Sequence, residues 1–189
     1  MRKPLFGIKV AMLIANGFCE QDMTEMQRAL TEAGANVRIV SPEQGLVNGW
    51  TGSAWGHHFA VDAVLSTALG ADYQMLVVPG GQRSHDKLKL TAHTRRFVSS
   101  FMTAKKPVAI MDDALAVMIA TANLRELHYN GPDRFEAPVI QDGGSWSMET
   151  PCQDQNVISG ATGSENRMAY IQAVLEFFKA QAAVELKAA

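Results

Sequence analysis

The sequence predicts a doubly wound α/β fold, a mainly parallel sheet with helices on both faces, of the flavodoxin-like kind. Three observations carry this. Short, wholly apolar runs such as Val10 to Ala15, Leu76 to Val78 and Val108 to Met111 read as strands buried on both faces. Between them the apolar period switches to that of helices. Strands and helices alternate, which calls for right-handed crossovers between parallel strands.

Element by element, Lys9 to Ala15 is the first strand, stopped by Asn16-Gly17. From Asp22 onward Met23, Met26, Leu30 and Ala33 recur at helical spacing, and Ala33-Gly34-Ala35 is a C-terminal stop before a strand over Asn36 to Val40. Ser41 to Ala60 lacks strong periodicity and reads as a long connection with short strands around Leu46-Val47 and His58-Phe59-Ala60. Asp62 to Ser66 reads as a helical turn, and Tyr73 to Val78 as a strand stopped by Pro79-Gly80-Gly81. A helix over Thr91 to Ala104 places Phe97, Val98 and Phe101 on one face. Pro107 to Met111 is the next parallel strand, Asp112-Asp113 an abrupt turn, and Ala114 to Thr121 an apolar helix. Pro138 to Ile140 and Asn156 to Ser159 read as strands, and Ser164 to Ala180 as an amphipathic helix with Ser164 as its cap. No repeat or linker divides residues 1–189, so one domain is expected.

Composition narrows the function classes. With 47% hydrophobic residues, 19% charged and a net charge of −2, the 189-residue chain has no single-sign field to attract nucleic acid or anionic lipid. The apolar run from Val10 to Ala15 is too short for a signal segment or a membrane span, so a cytoplasmic protein without nucleic-acid or membrane partners is expected. Cys19 and Cys152 read as reduced thiols, and their spacing excludes a zinc knuckle. No cofactor motif is present.

In open α/β sheets ligands sit beyond the carboxyl ends of the strands, where strand order reverses. That rule selects the loops after Ala15, Val78 and Met111. At the same loops the chain resembles the ThiJ/PfpI superfamily, flavodoxin-like relatives of class I glutamine amidotransferase domains. The anchors are Ile14-Ala15-Asn16-Gly17-Phe18, Glu32-Ala33-Gly34-Ala35, Leu76-Val77-Val78-Pro79-Gly80-Gly81 and Lys106-Pro107-Val108-Ala109, in the family's order and spacing. Family members usually carry a Cys-His-Gly step on the turn after the strand matching Val108 to Met111. Here that step reads Asp112-Asp113-Ala114. The family also places acidic residues after the Gly-Phe of the first loop, one of them bonded to the nucleophile's thiol. In Gly17-Phe18-Cys19-Glu20-Gln21-Asp22, Asp22 matches the usual glutamate and Cys19 stands where another acid is common.

The resemblance implies a strained elbow that exposes residue 112 at a helix N-terminus, where a cysteine would ionise. An aspartate there can cap the helix, act as a general base, or act as a nucleophile, and the sequence leaves these three open. Asp113 is expected to face solvent on the helix's first turn. The resemblance further implies that the Gly81 N–H joins the Asp113 N–H in an anion hole, with Gly80 allowing the tight turn. Cys19 reads as an inert thiol, since Glu20 and Asp22 beside it raise its pKa, and no His at ligand spacing joins the carboxylates into a metal site. His57 and His58 read as a surface or interface feature, with His85 near the same mouth and Trp50 and Trp55 as a roof over it.

The expectation is therefore a divergent member with a small-molecule or anion pocket at Asp112, Asp22, Cys19, Gly80, Gly81 and Asp113. The family's cysteine-dependent amidase, glyoxalase, deglycase or peptidase chemistry is expected to be lost. Two rivals stand beside it: a hydrolase or lyase using Cys19 or Asp112 in a rearranged site, and a non-catalytic structural or regulatory domain like the related C-terminal domain of large-subunit catalases. A homodimer is expected by resemblance.

Overall fold

The computed structural model of the protein describes residues 3–188. Its elements in chain order are β1 (Lys9–Leu13), β2 (Phe18–Cys19), α1 (Glu20–Glu32), β3 (Asn36–Ser41), β4 (Leu46–Trp50), β5 (Trp55–Ala60) and β6 (Ala63–Val64). Then come β7 (Met75–Val78), α2 (Gln82–Leu88), α3 (Ala92–Thr103), β8 (Val108–Met111), α4 (Leu115–Ala120), β9 (His128–Tyr129) and α5 (Glu136–Gln141). The chain continues with β10 (Ser145–Trp146), β11 (Cys152–Asp154), β12 (Val157–Gly160) and α6 (Arg167–Ala188).

Seven strands form one sheet in the order β11-β12-β8-β7-β1-β3-β6. Every pair in it is parallel except β11 with β12. The doubly wound architecture predicted from strand and helix alternation is therefore present. Successive residues of the central strands point to opposite faces. Ala11, Leu13, Leu76, Val78, Val108 and Ile110 pack with Phe97, Val98 and Phe101 of α3. Val10, Met12, Met75, Val77, Ala109 and Met111 pack with Met23, Met26 and Leu30 of α1 and Tyr170, Val174 and Phe178 of α6. Burial on both faces is why these strands read as continuous apolar runs rather than alternating ones.

β1 has β3 on one side and β7 on the other. The chain winds outward both ways from this switch point, so the loops after β1 and β7 diverge and leave a crevice at the strands' carboxyl ends. The segment after β3 adds a second layer there. It is an antiparallel hairpin of β4 and β5, with β2 alongside β4: the short strands expected around Leu46-Val47 and His58-Phe59-Ala60 are present, run longer than expected and pair with each other.

Other local expectations change. The turn expected over Asp62 to Ser66 contains β6, an edge strand paired with Val40 and Ser41, because Asp62 ties down that edge by accepting from the Ile39 N–H. Pro138 to Ile140 lies inside helix α5, where three apolar residues suit a short helix with one buried side chain, Val139, as well as a strand. The last helix starts at Arg167, not at Ser164. Among the described residues, no helix is long and apolar enough to cross a membrane.

Candidate functional site

The crevice is assembled from four loops. Asn16 fastens the first to the hairpin through Asn48, whose N–H donates to Asn16 Oδ1 at 2.8 Å. Gly17 N–H donates to Asn48 O at 2.8 Å, and Cys19 N–H donates to Gly80 O at 2.7 Å, joining the loop to the turn after β7. Gly81 is required at that turn. It sits at φ +127°, and a Cβ there would stand 2.5 Å from the Cys19 backbone nitrogen.

At the end of β8 the chain turns into helix through Asp112, which sits in the left-handed region at φ 52°. Aspartate tolerates this conformation better than most residues, and such strain marks a strand-to-helix elbow. The side chain does not cap the helix: the residues at the start of the helical turn and of α4 make no capping bond, and Asp112 Oδ1 instead accepts from the Thr162 N–H at 3.2 Å. The capping reading is thus corrected, because the left-handed backbone aims the side chain across the crevice toward the loop after β12.

Asp113 is also corrected. It is buried rather than solvent-facing, and its Oδ1 accepts the Gly81 N–H at 2.8 Å. One amide of the anion hole implied by resemblance is therefore engaged by the chain's own carboxylate. Beside it His85 is 1% exposed, with Nε2 bonded to Pro79 O at 2.9 Å. Burial holds this imidazole below its usual pKa, against the opposing pull of Asp113, so it is neutral. Its Nδ1 lies 3.5 Å from Asp113 Oδ1 and has no hydrogen bond.

Asp22 is 2% exposed and doubly bonded. Thr162 Oγ1 donates to its Oδ2 at 2.8 Å and Arg167 Nε donates to its Oδ1 at 2.7 Å. Burial still pushes the Asp22 carboxyl above its usual value, outweighing Arg167 and Thr162, and Asp112 adds to the rise. Gly80 makes room for this crowding: a Cβ on it would lie 2.7 Å from Asp22 Oδ2 and 3.3 Å from both Asp112 Cβ and Asp113 Oδ1. The Cys19 thiol is pushed up to about 11, first by burial and then by Asp22. At neutral pH it is a thiol and not a thiolate.

All six residues expected at the site are thus neighbours around one cavity of about 220 Å³, which Thr162, Gly163 and Arg167 also line. A larger cavity of about 660 Å³ adjoins it, sharing Cys19, Gly81 and Arg167, and extends under Trp50 to Arg83 and Asp86. Trp50 and Trp55 meet edge to face at 5.4 Å, and the Arg83 guanidinium lies 4.1 Å from the centre of the Trp50 ring. His57 does not enter the crevice. Its backbone N–H and Nδ1 bind the Glu20 carboxylate at 2.8 and 2.5 Å.

Sequence reasoning missed Arg167 and Thr162. Neither stands in a motif, but both follow β12, which lies beside β8 in the sheet. The rule that selects loops at strand carboxyl ends would have named theirs too, had the pairing of β12 been known. Among the described residues, no group of three or more His, Cys, Asp or Glu side chains is arranged to hold a metal ion.

A left-handed residue at a strand-to-helix turn, on the strand next to β7 and beside the switch point of a parallel sheet, defines the site class as a nucleophile-elbow α/β protein with an acid at the elbow. The chain belongs to the DJ-1/PfpI family, whose model matches residues 8–177. It is 34% identical over 103 residues to General stress protein 18 of Bacillus subtilis, covering 54% of this chain and 58% of that one. It is 24% identical over 152 residues to Deglycase PfpI of Pyrococcus furiosus, covering 80% and 89%. A two-domain protein from Anabaena variabilis with DJ-1/ThiJ/PfpI-like and ferritin-like domains shares the fold, with a TM-score of 0.81 and 23% identity over 89% of this chain and 47% of that one. The match to General stress protein 18 therefore spans less than two thirds of that relative.

Proposed function

We propose that this chain is a DJ-1/PfpI protein that binds a small polar molecule in the crevice between the elbow and the β4–β5 hairpin, without cysteine-dependent chemistry. One observation carries the reading: the elbow position holds Asp112, while the only thiol facing the crevice, Cys19, is kept protonated by burial and by Asp22. A thiol with a pKa near 11 is roughly one part in ten thousand thiolate at pH 7. Asp22, the acid that raises its pKa, is committed to Thr162 and Arg167 rather than to the thiol. What remains is a walled polar cavity with oriented charges, which is the equipment of a binding site. A homodimer is the assembly we expect from the family, to be read by sedimentation.

The test pairs two assays on the full chain. Iodoacetamide at neutral pH is expected to leave Cys19 unmodified in the folded protein, and methylglyoxal or a glycated amine is expected to persist at the uncatalysed rate. Turnover lost in Asp112→Ala but kept in Cys19→Ser would replace this reading with carboxylate catalysis. Rapid alkylation of Cys19 with turnover lost in Cys19→Ser would replace it with a relocated nucleophile.

A further inference from the structure

The two adjoining cavities carry opposite charge at their far ends. At the elbow end, Asp112 is partly exposed and only Oδ1 is engaged, by the Thr162 N–H, so Oδ2 is open to a donor. At the hairpin end, Arg83 is exposed, its stem packs on Gly17, and its guanidinium lies over the faces of Trp50 and Trp55, at 4.1 and 5.8 Å, with no hydrogen bond or ion pair among the described residues. Its guanidinium donors are therefore free, and a cation laid on an aromatic face keeps its edge available for a bidentate anion. The acid lining this end, Asp86, is paired with Lys89 at 2.9 Å. Between the ends lie Cys19, Gly81 and Arg167, shared by both cavities. Arg167 donates its Nε to Asp22 and lines both cavities, with four further N–H donors on its guanidinium.

A cation alone would meet Arg83 and Arg167 on entering, and an anion alone would meet Asp112 and Asp22 at the inner end. A molecule with both charges satisfies both ends and leaves none of these groups desolvated without a partner. We propose that the crevice takes a small zwitterion, an amino acid in the broad sense, with its ammonium on Asp112 and its carboxylate on Arg83. Gln21, Gln82 and Thr51 line the middle of the larger cavity and supply neutral hydrogen-bonding groups along the way. The proposal rests on reading the crevice as a binding site. The two fail separately: that reading falls to thiol alkylation or turnover, this one to the ligand titration.

The experiment is calorimetric titration of the full chain with glycine, β-alanine, γ-aminobutyrate and 6-aminohexanoate, with propionate and propylamine as single-charge controls. The series varies the separation of the two charges. One member is expected to bind at least about tenfold tighter than either control. Arg83→Ala is expected to weaken that member at least about tenfold, whereas Arg83→Lys, which keeps the charge, recovers part of the loss. Asp112→Asn keeps a residue that tolerates the left-handed backbone and is expected to bring the zwitterion down to the level of propionate. Propionate binding as well as the best amino acid would overturn the proposal, as would no saturable binding of any member up to about 50 mM.

Discussion

Glu20 and Asp22 sit two residues apart in the first turn of α1, yet they do opposite things. Glu20 turns toward the hairpin, where His57 grips its carboxylate with a backbone and a ring nitrogen. Burial alone would raise the Glu20 pKa, but the His57 contacts together hold it below the usual 4.5. Asp22 turns toward the elbow, where the desolvation is deeper and Arg167 and Thr162 do not fully offset it, so its pKa rises. A carboxylate at the rim is a fastener. One buried beneath the elbow is a stored charge that the rest of the site must accommodate.

The glycines on the two sides differ in the same way, and substituting them probes the contrast most strongly. Gly81→Ala sets a methyl group against the backbone of Phe18 and Cys19 at a φ that L-residues avoid, so a loss of about 4 kcal/mol or failure to fold is expected. Gly56→Ala meets side chains alone: the far end of Glu20, which can swing out to solvent once it releases His57, and Thr51 Cγ2 at 3.2 Å. About 1–2 kcal/mol is expected there, read as a fall of about 2–8 °C in thermal midpoint. Comparable losses at both positions would break the distinction between an elbow walled by backbone and a hairpin held by side chain.

Arg167→Met comes between these two in size. It strands a buried carboxylate, and about 3 kcal/mol is expected by urea unfolding at pH 7. The deficit should shrink on acidification as Asp22 takes up a proton. A deficit that stays constant with pH would mean that Arg167 contributes packing rather than charge.

The smallest effect tests the sign of the two acids directly. The folded pKa of Glu20 is lowered, so its contribution to stability is present above about pH 4.5 and is lost as pH falls through the depressed value. The folded pKa of Asp22 is raised, so its contribution is present below about pH 3.8 and is lost as pH rises through the elevated value. Thermal midpoints followed from about pH 7 to 3 should therefore show wild type losing its advantage over Glu20→Gln, while gaining on Asp22→Asn. The Glu20 effect should stay below about 1 kcal/mol, because the His57 side chain is 83% exposed and solvent screens the pair.

Much of this was legible in the chain. The β1, β7 and β8 runs and the turns that end them located the sheet and three of the four loops of the crevice, because strands buried on both faces admit only apolar residues. The strands of the β4–β5 hairpin were legible around Leu46-Val47 and His58-Phe59-Ala60, but their full extent and pairing were not, since Gly49 and Gly56 lie in them for a reason outside them, namely space for Glu20 from α1. α2 was not legible either. Its seven residues are held by contacts with distant segments, such as the Ala15 N–H donating to Ser84 Oγ at 2.8 Å.

The sequence by itself determined the fold, the place of the elbow and the acid that stands on it, because each follows from local apolar pattern and turn chemistry. Tertiary structure alone decided which way Asp112, Asp113 and Asp22 point and what they bind. Those outcomes depend on the pairing of β12 with β8, which carries Thr162 and Arg167 to the crevice from more than a hundred residues beyond Asp22. They also depend on a left-handed backbone at residue 112 that turns a capping side chain outward across the cavity.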